Sequence, residues 1–565
     1  MGKQLFLFVF FLGLQLGFSQ QKYPTDDFIN PLDIPLILSG NFGELRSNHF
    51  HGGLDIKTQQ RQGLNVLSAA GGYVSRIKVS HWGYGKALYI THPNGYTTVY
   101  GHLKKFAPKI EEYVKKHQYE KESFTIELFP KASELIVSKG EIVALSGNTG
   151  GSGGPHLHFE VRDAASKPIN PLFFGYKIAD KRAPEIRAAV VYMFGDSSHV
   201  DQSNIEKDLF LKKQANGDLI ADKIEAFGII GIGVNAIDQQ DGAYNHNGLF
   251  SLEMSVNGKR VYYHSLDTYS FNETNYINDF IDYERYSNKR QHIQKCFVEP
   301  NNKLSIYKNV IDNGFLEIKD GLSYTVKITA KDFEGNSRTL IIPIVGKKAP
   351  IIVKRPIKET PYYLNAVEFN KLSKDNVTVA FPKNSFYKDL YFDFQYDGEV
   401  VKLHHDDVPL HNNFTLTFDV SDYPESKRKQ LFIARKTSKG GLSYSSTRSK
   451  DDKVYTLSKT LGEYTLAIDS IKPKIVPINF KEGQWLSKYS ELKLKVSDNL
   501  SGIKFYRGEI DGKWILLEYD PKTGLLIYDF SDRKLEGNEH TLKVTAIDNV
   551  NNTIVYIASF YRKEE

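Results

Sequence analysis

Apolar residues in this chain fall into short runs broken by glycine, proline, asparagine and aspartate, the pattern of a mainly β protein. The exception is the N-terminus, where Lys3 precedes the almost wholly apolar Leu5–Leu16 and small residues stand at Gly17 and Ser19. This predicts an export signal over residues 1–19, too short to span a bilayer. Residues 20–37 read as a polar lead-in punctuated by prolines. From Leu38 to about Tyr176, short strands alternate with glycine turns. Leu64–Val79 predicts a hairpin, and Ala87–Thr91 with Tyr96–Tyr100 predicts another around Pro93-Asn94-Gly95. An insertion follows at about 106–132, with a short helix opened by Pro108 and a strand over Ser123–Leu128. Strand patterning resumes at Leu135–Ser146.

Past Asn170-Pro171 the chain stays β-patterned and repeats itself. Lys327–Asn336 (KITAKDFEGN) aligns with Lys543–Asn552 (KVTAIDNVNN), and Asp238–Gly242 aligns with Asp498–Gly502. A D-x-x-x-G element precedes a T-A-x-D element in both copies, a repeat that resembles bacterial immunoglobulin-like β-sandwiches. The predicted organisation is a compact, barrel-like antiparallel domain at 38–177, then two or three Ig-like β-sandwich modules. These lie at 185–347 with an insertion around Tyr262–Tyr286, at 349–470 as a divergent β domain, and at 471–565. The repeated aspartates read as turn residues bonding their own backbone rather than as calcium ligands.

Composition narrows the class. A net charge of +6 over 565 residues gives no reason to expect nucleic acid as a partner. The single cysteine, Cys296, excludes an intramolecular disulfide and reads as a buried small residue. No second apolar run approaches transmembrane length, so no membrane helix is expected once the signal is removed.

The candidate chemistry sits in the first third. His156-Leu157-His158 follows a glycine-rich loop, and on a strand residues i and i+2 share a face. His51 and Asp55, separated by Gly52-Gly53, share a face in the same way. A third histidine, His102, ends the strand Tyr96–Tyr100. Imidazoles paired with a carboxylate suit a divalent transition metal, zinc above all. His49 is a decoy two residues before His51, and His92 beside Pro93 reads as solvated. The pair His404-His405 before Asp406-Asp407 reads as a solvated loop.

H-x-x-x-D, then Y-G-H-L, then G-P-H-L-H-F-E, in that order, resembles the LytM/lysostaphin-type zinc endopeptidases over roughly residues 38–176. The resemblance implies His51, Asp55 and His158 as ligands of one Zn²⁺ per chain, and His102 and His156 as the catalytic pair. Three protein ligands leave a position open for water, which a general base and acid then put to use. The resemblance does not say which histidine is base and which steadies the oxyanion. Some relatives place a tyrosine upstream of the first ligand, and none stands between Ser39 and Asn48. Asn41 and Arg46 either line the substrate groove or belong to the surface.

The implied function is an exported zinc endopeptidase acting on peptidoglycan stem peptides, in the periplasm by preference, with the β modules free to hold an envelope protein. The alternative is a non-catalytic envelope scaffold or hydrolase activator that uses the same domains for binding.

Overall fold

The computed structural model describes residues 23–356 and 358–563; the expected export signal over residues 1–19 lies outside them. The N-terminal domain has twelve strands, one α-helix and a short 3-10 turn at Pro171–Phe174. The strands are β1 (Leu38–Gly40), β2 (Leu54–Lys57), β3 (Asn65–Leu67), β4 (Gly72–Val79), β5 (Lys86–Thr91), β6 (Thr97–Gly101), β7 (Lys105–Phe106), β8 (Ile126–Leu128), β9 (Ile136–Val137), β10 (Ile142–Leu145), β11 (His156–Arg162) and β12 (Pro168–Ile169). The helix, α1, spans Pro108–Lys121, with proline in its first turn and Glu122 in the left-handed region closing it.

The main sheet runs β1-β2-β11-β6-β5-β4-β8, with β12 on β11 and β9 on β4; a smaller sheet runs β3-β10-β7. Their inner faces share one core of Leu54, Ile56, Val66, Ile77, Leu88, Tyr100, Val143, Leu157 and Phe159. The Asn-Gly turn joins β5 to β6 as a hairpin in register Thr91↔Thr97. The expected hairpin over Leu64–Val79 does not form: β3 pairs with β10 and β4 with β5. Alternation marked both strands but carried no information on their partners.

Two segments outside the motif region complete this core. Phe28, Leu32 and Leu36 of the lead-in are buried in it, and Leu32 bridges to Val66. The aromatic stretch after Tyr262 contributes Leu266, Tyr269, Ile277, Phe280 and Ile281. Tyr269 donates its hydroxyl to the Phe50 carbonyl at 2.9 Å, and Phe50 N–H reaches Thr274 Oγ1 at 2.8 Å. Both bonds hold the segment just before His51.

Beyond the peptidase-like domain the chain is almost entirely β. Residues 185–346 form one connected eleven-stranded sheet around their own core, with Cys296 fully buried in it. Residues 361–469 build two five-stranded sheets and a two-stranded one over a third core. Residues 474–561 form a four- and a five-stranded sheet over a fourth. This last module folds back onto the N-terminal domain. Lys86 pairs with Glu518 at 2.9 Å, Arg507 with Glu122 at 2.7 Å, and Lys115 with Asp532. Trp514 meets Tyr119 edge-on, and His81 Nε2 lies 3.3 Å from the Tyr506 hydroxyl. The α1 insertion therefore faces the C-terminal module. Among the described residues no helix is long and apolar enough to cross a membrane.

Candidate metal centre

Strand β11 lies between β2 and β6, with His158 opposite Asp55 on one side and Gly101 on the other. Alternation sends Leu157, Phe159 and Val161 into the core and leaves His156, His158, Glu160 and Arg162 on the opposite face. Gly53 has no room for a side chain, since a Cβ there would stand 2.2 Å from the Phe159 carbonyl oxygen. The two glycines between His51 and Asp55 thus let β2 approach β11 closely enough for their side chains to meet.

His51 Nε2, Asp55 Oδ1 and His158 Nδ1 converge. The two nitrogens lie 3.0 and 2.9 Å from the carboxylate oxygen and 3.1 Å from each other. The remaining ring nitrogens are fixed from behind. His51 Nδ1 sits 2.8 Å from the Asn41 carbonyl, which can only accept, so Nε2 is the bare nitrogen. His158 Nε2 sits 2.8 Å from Glu160 Oε1, and Glu160 is in turn held by Arg162 Nε at 2.5 Å. Burial opposes charge on Glu160, but Arg162 and His158 hold its carboxyl down at about 2. Burial likewise opposes charge on His158, and the bonds to Asp55 and Glu160 outweigh it, pushing the imidazole up to about 9. The Asp55 carboxyl stays well below its usual range despite burial, because three imidazoles surround it.

The other two histidines flank this triad. His156 Nδ1 lies 2.9 Å from the Gly154 carbonyl and 3.2 Å from Ser152 Oγ. Its Nε2 is buried without a hydrogen-bond partner, 3.3 Å from Asp55 Oδ1. His102, at a left-handed φ of 58°, directs Nδ1 to the Thr149 carbonyl at 2.8 Å. Its ring centre is 4.7 Å from that of His156. Burial, with His158 and His156 beside it, pushes the His102 imidazole down to about 3. It is neutral, with the proton on Nδ1 and Nε2 free to accept another.

The donor set fits a divalent metal. Two imidazole nitrogens and a carboxylate oxygen face one point, their outer atoms are hydrogen-bonded as metal ligands usually are, and an orphaned imidazole nitrogen adjoins them. The five residues singled out in the sequence are thus brought together. Asn41 and Arg46, expected at the groove or the surface, are tied inward. The Asn41 side chain bonds both backbone groups of Gly248, at 2.7 and 2.9 Å. Arg46 reaches Asp55 Oδ2 at 3.0 Å and Glu44 at 3.4 Å. His49 is exposed. His92 is not solvated: it is buried, with Nδ1 on the Gly71 carbonyl and Nε2 on Thr98 Oγ1.

Sequence reasoning missed Glu160, Arg162 and Tyr84. The first two follow His158 at i+2 and i+4 on one strand, so the alternation that paired His156 with His158 already pointed to them. Tyr84 stacks on His158 with ring centres 4.8 Å apart and donates its hydroxyl to Glu160. It lies in the Gly83-Tyr84-Gly85 turn, far from the upstream window where a tyrosine was sought.

Residues 49–119 match the model of Peptidase family M23. Over these residues the N-terminal domain resembles that family. Residues 361–469 match the Zu5-like domain. An uncharacterized metalloprotease of Haemophilus influenzae is 34% identical over 122 residues, 22% of this chain and 20% of that protein. The DD-carboxypeptidase/endopeptidase Mpg of Neisseria meningitidis serogroup B is 32% identical over 128 residues, 23% of each. This chain spans about a fifth of the length of these curated relatives. Among solved structures, the lysostaphin catalytic domain from Staphylococcus simulans aligns at 20% identity over 25% of this chain and 91% of that one, with a TM-score of 0.19. The catalytic domain of the prophage-encoded protein EnpA from Enterococcus faecalis aligns at 22% identity over 26% and 98%, with a TM-score of 0.20.

Proposed function

We propose that this chain is an exported zinc endopeptidase that hydrolyses peptide cross-links in bacterial peptidoglycan. The observation that carries the reading is the meeting of His51 Nε2, Asp55 Oδ1 and His158 Nδ1 within 3.1 Å of one another. Zinc bound there supplies a water of near-neutral pKa and polarises the scissile carbonyl. His51, Asp55 and His158 would hold it, with Asn41, Arg46 and Glu160 fixing their orientation from behind. His102 and His156 each have Nδ1 against a backbone carbonyl, so each offers a bare Nε2 as proton acceptor. The one that takes the proton becomes an imidazolium that can donate to the leaving amine, while the other faces the developing oxyanion.

The name of the Neisseria relative, a DD-carboxypeptidase/endopeptidase, supports a DD-bond between stem peptides as the substrate. The apolar leader supports export, with the periplasm as compartment, and the β modules would place the peptidase relative to an envelope partner. The deciding experiment is metal analysis of the purified protein together with digestion of sacculi by it and by His158→Ala. We expect one zinc per chain and conversion of cross-linked muropeptide dimers to monomers, both lost in the variant. A protein that carries no zinc, or that leaves sacculi intact when loaded with it, would sink the reading.

A further inference from the structure

The repeated modules carry a second constellation that the peptidase reading leaves untouched. Asp180, Asp238 and Asp332 each bring a carboxylate oxygen to one point, all within 4.8 Å of one another. Asp469, Asp498 and Asp548 do the same in the C-terminal module. The two groups are built alike. One aspartate opens a D-x-x-x-P linker (Asp180 to Pro184, Asp469 to Pro473), one opens a D-x-x-x-G turn (Asp238 to Gly242, Asp498 to Gly502), and one opens a D-x-x-x-N turn (Asp332 to Asn336, Asp548 to Asn552). Each closing asparagine plays the same part. Asn336 Nδ2 bonds Asp332 Oδ2 at 2.7 Å and the Asp180 carbonyl at 3.3 Å. Asn552 Nδ2 bonds Asp548 Oδ2 at 2.7 Å and the Asp469 carbonyl at 2.9 Å.

Turn chemistry accounts for part of this, since Asp332 and Asp548 accept backbone N–H groups within their own loops. It does not account for Asp238. That side chain is 3% exposed, and its Oδ1 has no hydrogen-bond partner. Gln240 Oε1, in the same turn, is likewise buried and unpartnered, as are Asp498 Oδ1 and the Ser501 hydroxyl in the equivalent turn of the C-terminal module. No lysine, arginine or histidine ion-pairs with any of the six aspartates among the described residues. Two of the three carboxylates in each cluster are buried, and carboxylates facing one another without an ion-paired partner are costly, a cost that a bound cation removes.

We propose that each three-aspartate cluster is a calcium site that fastens the linker entering its module. The donors are all oxygen, which selects a hard cation over zinc. Carboxylates drawn from three separate loops, with neighbouring carbonyl and amide oxygens, suit the large and tolerant coordination shell of Ca²⁺ better than the strict octahedron of Mg²⁺. Asp180 lies between the peptidase domain and the first module, and Asp469 ends the second, so occupancy would stiffen both junctions. The inference does not depend on the peptidase reading.

The test is calorimetric titration of CaCl2 into the full-length chain carrying His158→Ala, which keeps the zinc centre out of the count. Two ions per chain are expected, with a Kd on the order of 10⁻⁴ M, the range of extracellular modules. Asp238→Asn and Asp498→Asn should each remove one ion, and the double variant both. An uptake that these variants leave unchanged, or no uptake at all, overturns the proposal. Melting of the unmutated chain provides a control that needs no variant to fold. The Tm should rise in about 5 mM CaCl2 relative to chelator, and equimolar MgCl2 should not reproduce the rise. A Tm indifferent to calcium, or one that magnesium raises equally, overturns it as well.

Discussion

Glu160 is the residue whose loss would say most about the proposed metal centre, because it touches the proposed ligand His158 without being one. It holds His158 Nε2 at 2.8 Å and fixes the tautomer that leaves Nδ1 bare. Removing such a partner typically weakens metal affinity about 10–100-fold. Glu160→Gln should therefore fold, keep its strand pairing and lose zinc to a competing chelator at correspondingly lower concentration. Unchanged zinc affinity would show that Tyr84, stacked on the ring, orients His158 without it. At this scale the sequence was legible where spacing alone encodes geometry. His51 with Asp55, and His156 with His158, share faces because strands have a period of two. Asn41 was not legible, since its place depends on Gly248, 207 residues away. His92 was misread for a related reason: its partners Gly71 and Thr98 come together only when β4, β5 and β6 pair.

At the scale of elements, the loop from Gly147 to Gly154 supports both non-ligand histidines, through the Thr149 carbonyl for His102 and the Gly154 carbonyl for His156. Its fit against the Gly83–Gly85 turn is tight. Gly150 has a φ of 72°, and a Cβ there would stand 2.3 Å from Gly85 N. Gly150→Ala should lower kcat by about 10-fold or more by shifting these carbonyls, while leaving zinc content near one per chain. Equal loss of zinc and activity would mean that the loop supports the ligands instead. The helical segment Ile277–Phe280 offers a pH prediction. Burial raises the Asp279 carboxyl to about 6, against the opposing pull of Lys295 at 3.8 Å and of Lys388, with Glu299 adding to the rise and Asn302 bonding the charged form. The folded state then binds more protons than the unfolded state between about pH 4 and 6, so this group's contribution to stability falls as pH rises through that window. Asp279→Asn should melt higher than the parent at pH 8, by on the order of 3 °C, and at the same temperature near pH 4. Element type was readable from the sequence here. Pairing was not: alternation drew β3 and β4 correctly as strands but could not show that they belong to different sheets.

For the whole molecule, the decisive arrangement is the return of the C-terminal module to the peptidase domain. Nothing in the sequence ties Lys522 to the metal centre, yet its Nζ bonds the carbonyl of Asn148 at 2.5 Å and that of Ser152 at 3.2 Å. Ser152 Oγ in turn lies 3.2 Å from His156 Nδ1. The module thus braces the loop that sets His102 and His156, the proposed catalytic pair, and the Lys86–Glu518, Glu122–Arg507 and Lys115–Asp532 pairs hold it in place. The Glu122–Arg507 pair is exposed and weak by itself, whereas Lys86 and Asp532 are largely buried, so the brace rests on those two pairs and on the Trp514–Tyr119 contact. Lys522→Ala removes one tether without disturbing either core. It should lower kcat toward muropeptides about 10-fold, with zinc content and Tm unchanged. Deleting residues 471–565 should reproduce that loss and add a fall in Tm, because the outer face of α1 loses its cover. If either change raised activity, the module would be a restraint on the groove and the loop would work better unbraced. Steady-state rates on a soluble cross-linked dimer, measured beside zinc content for both variants, separate the two.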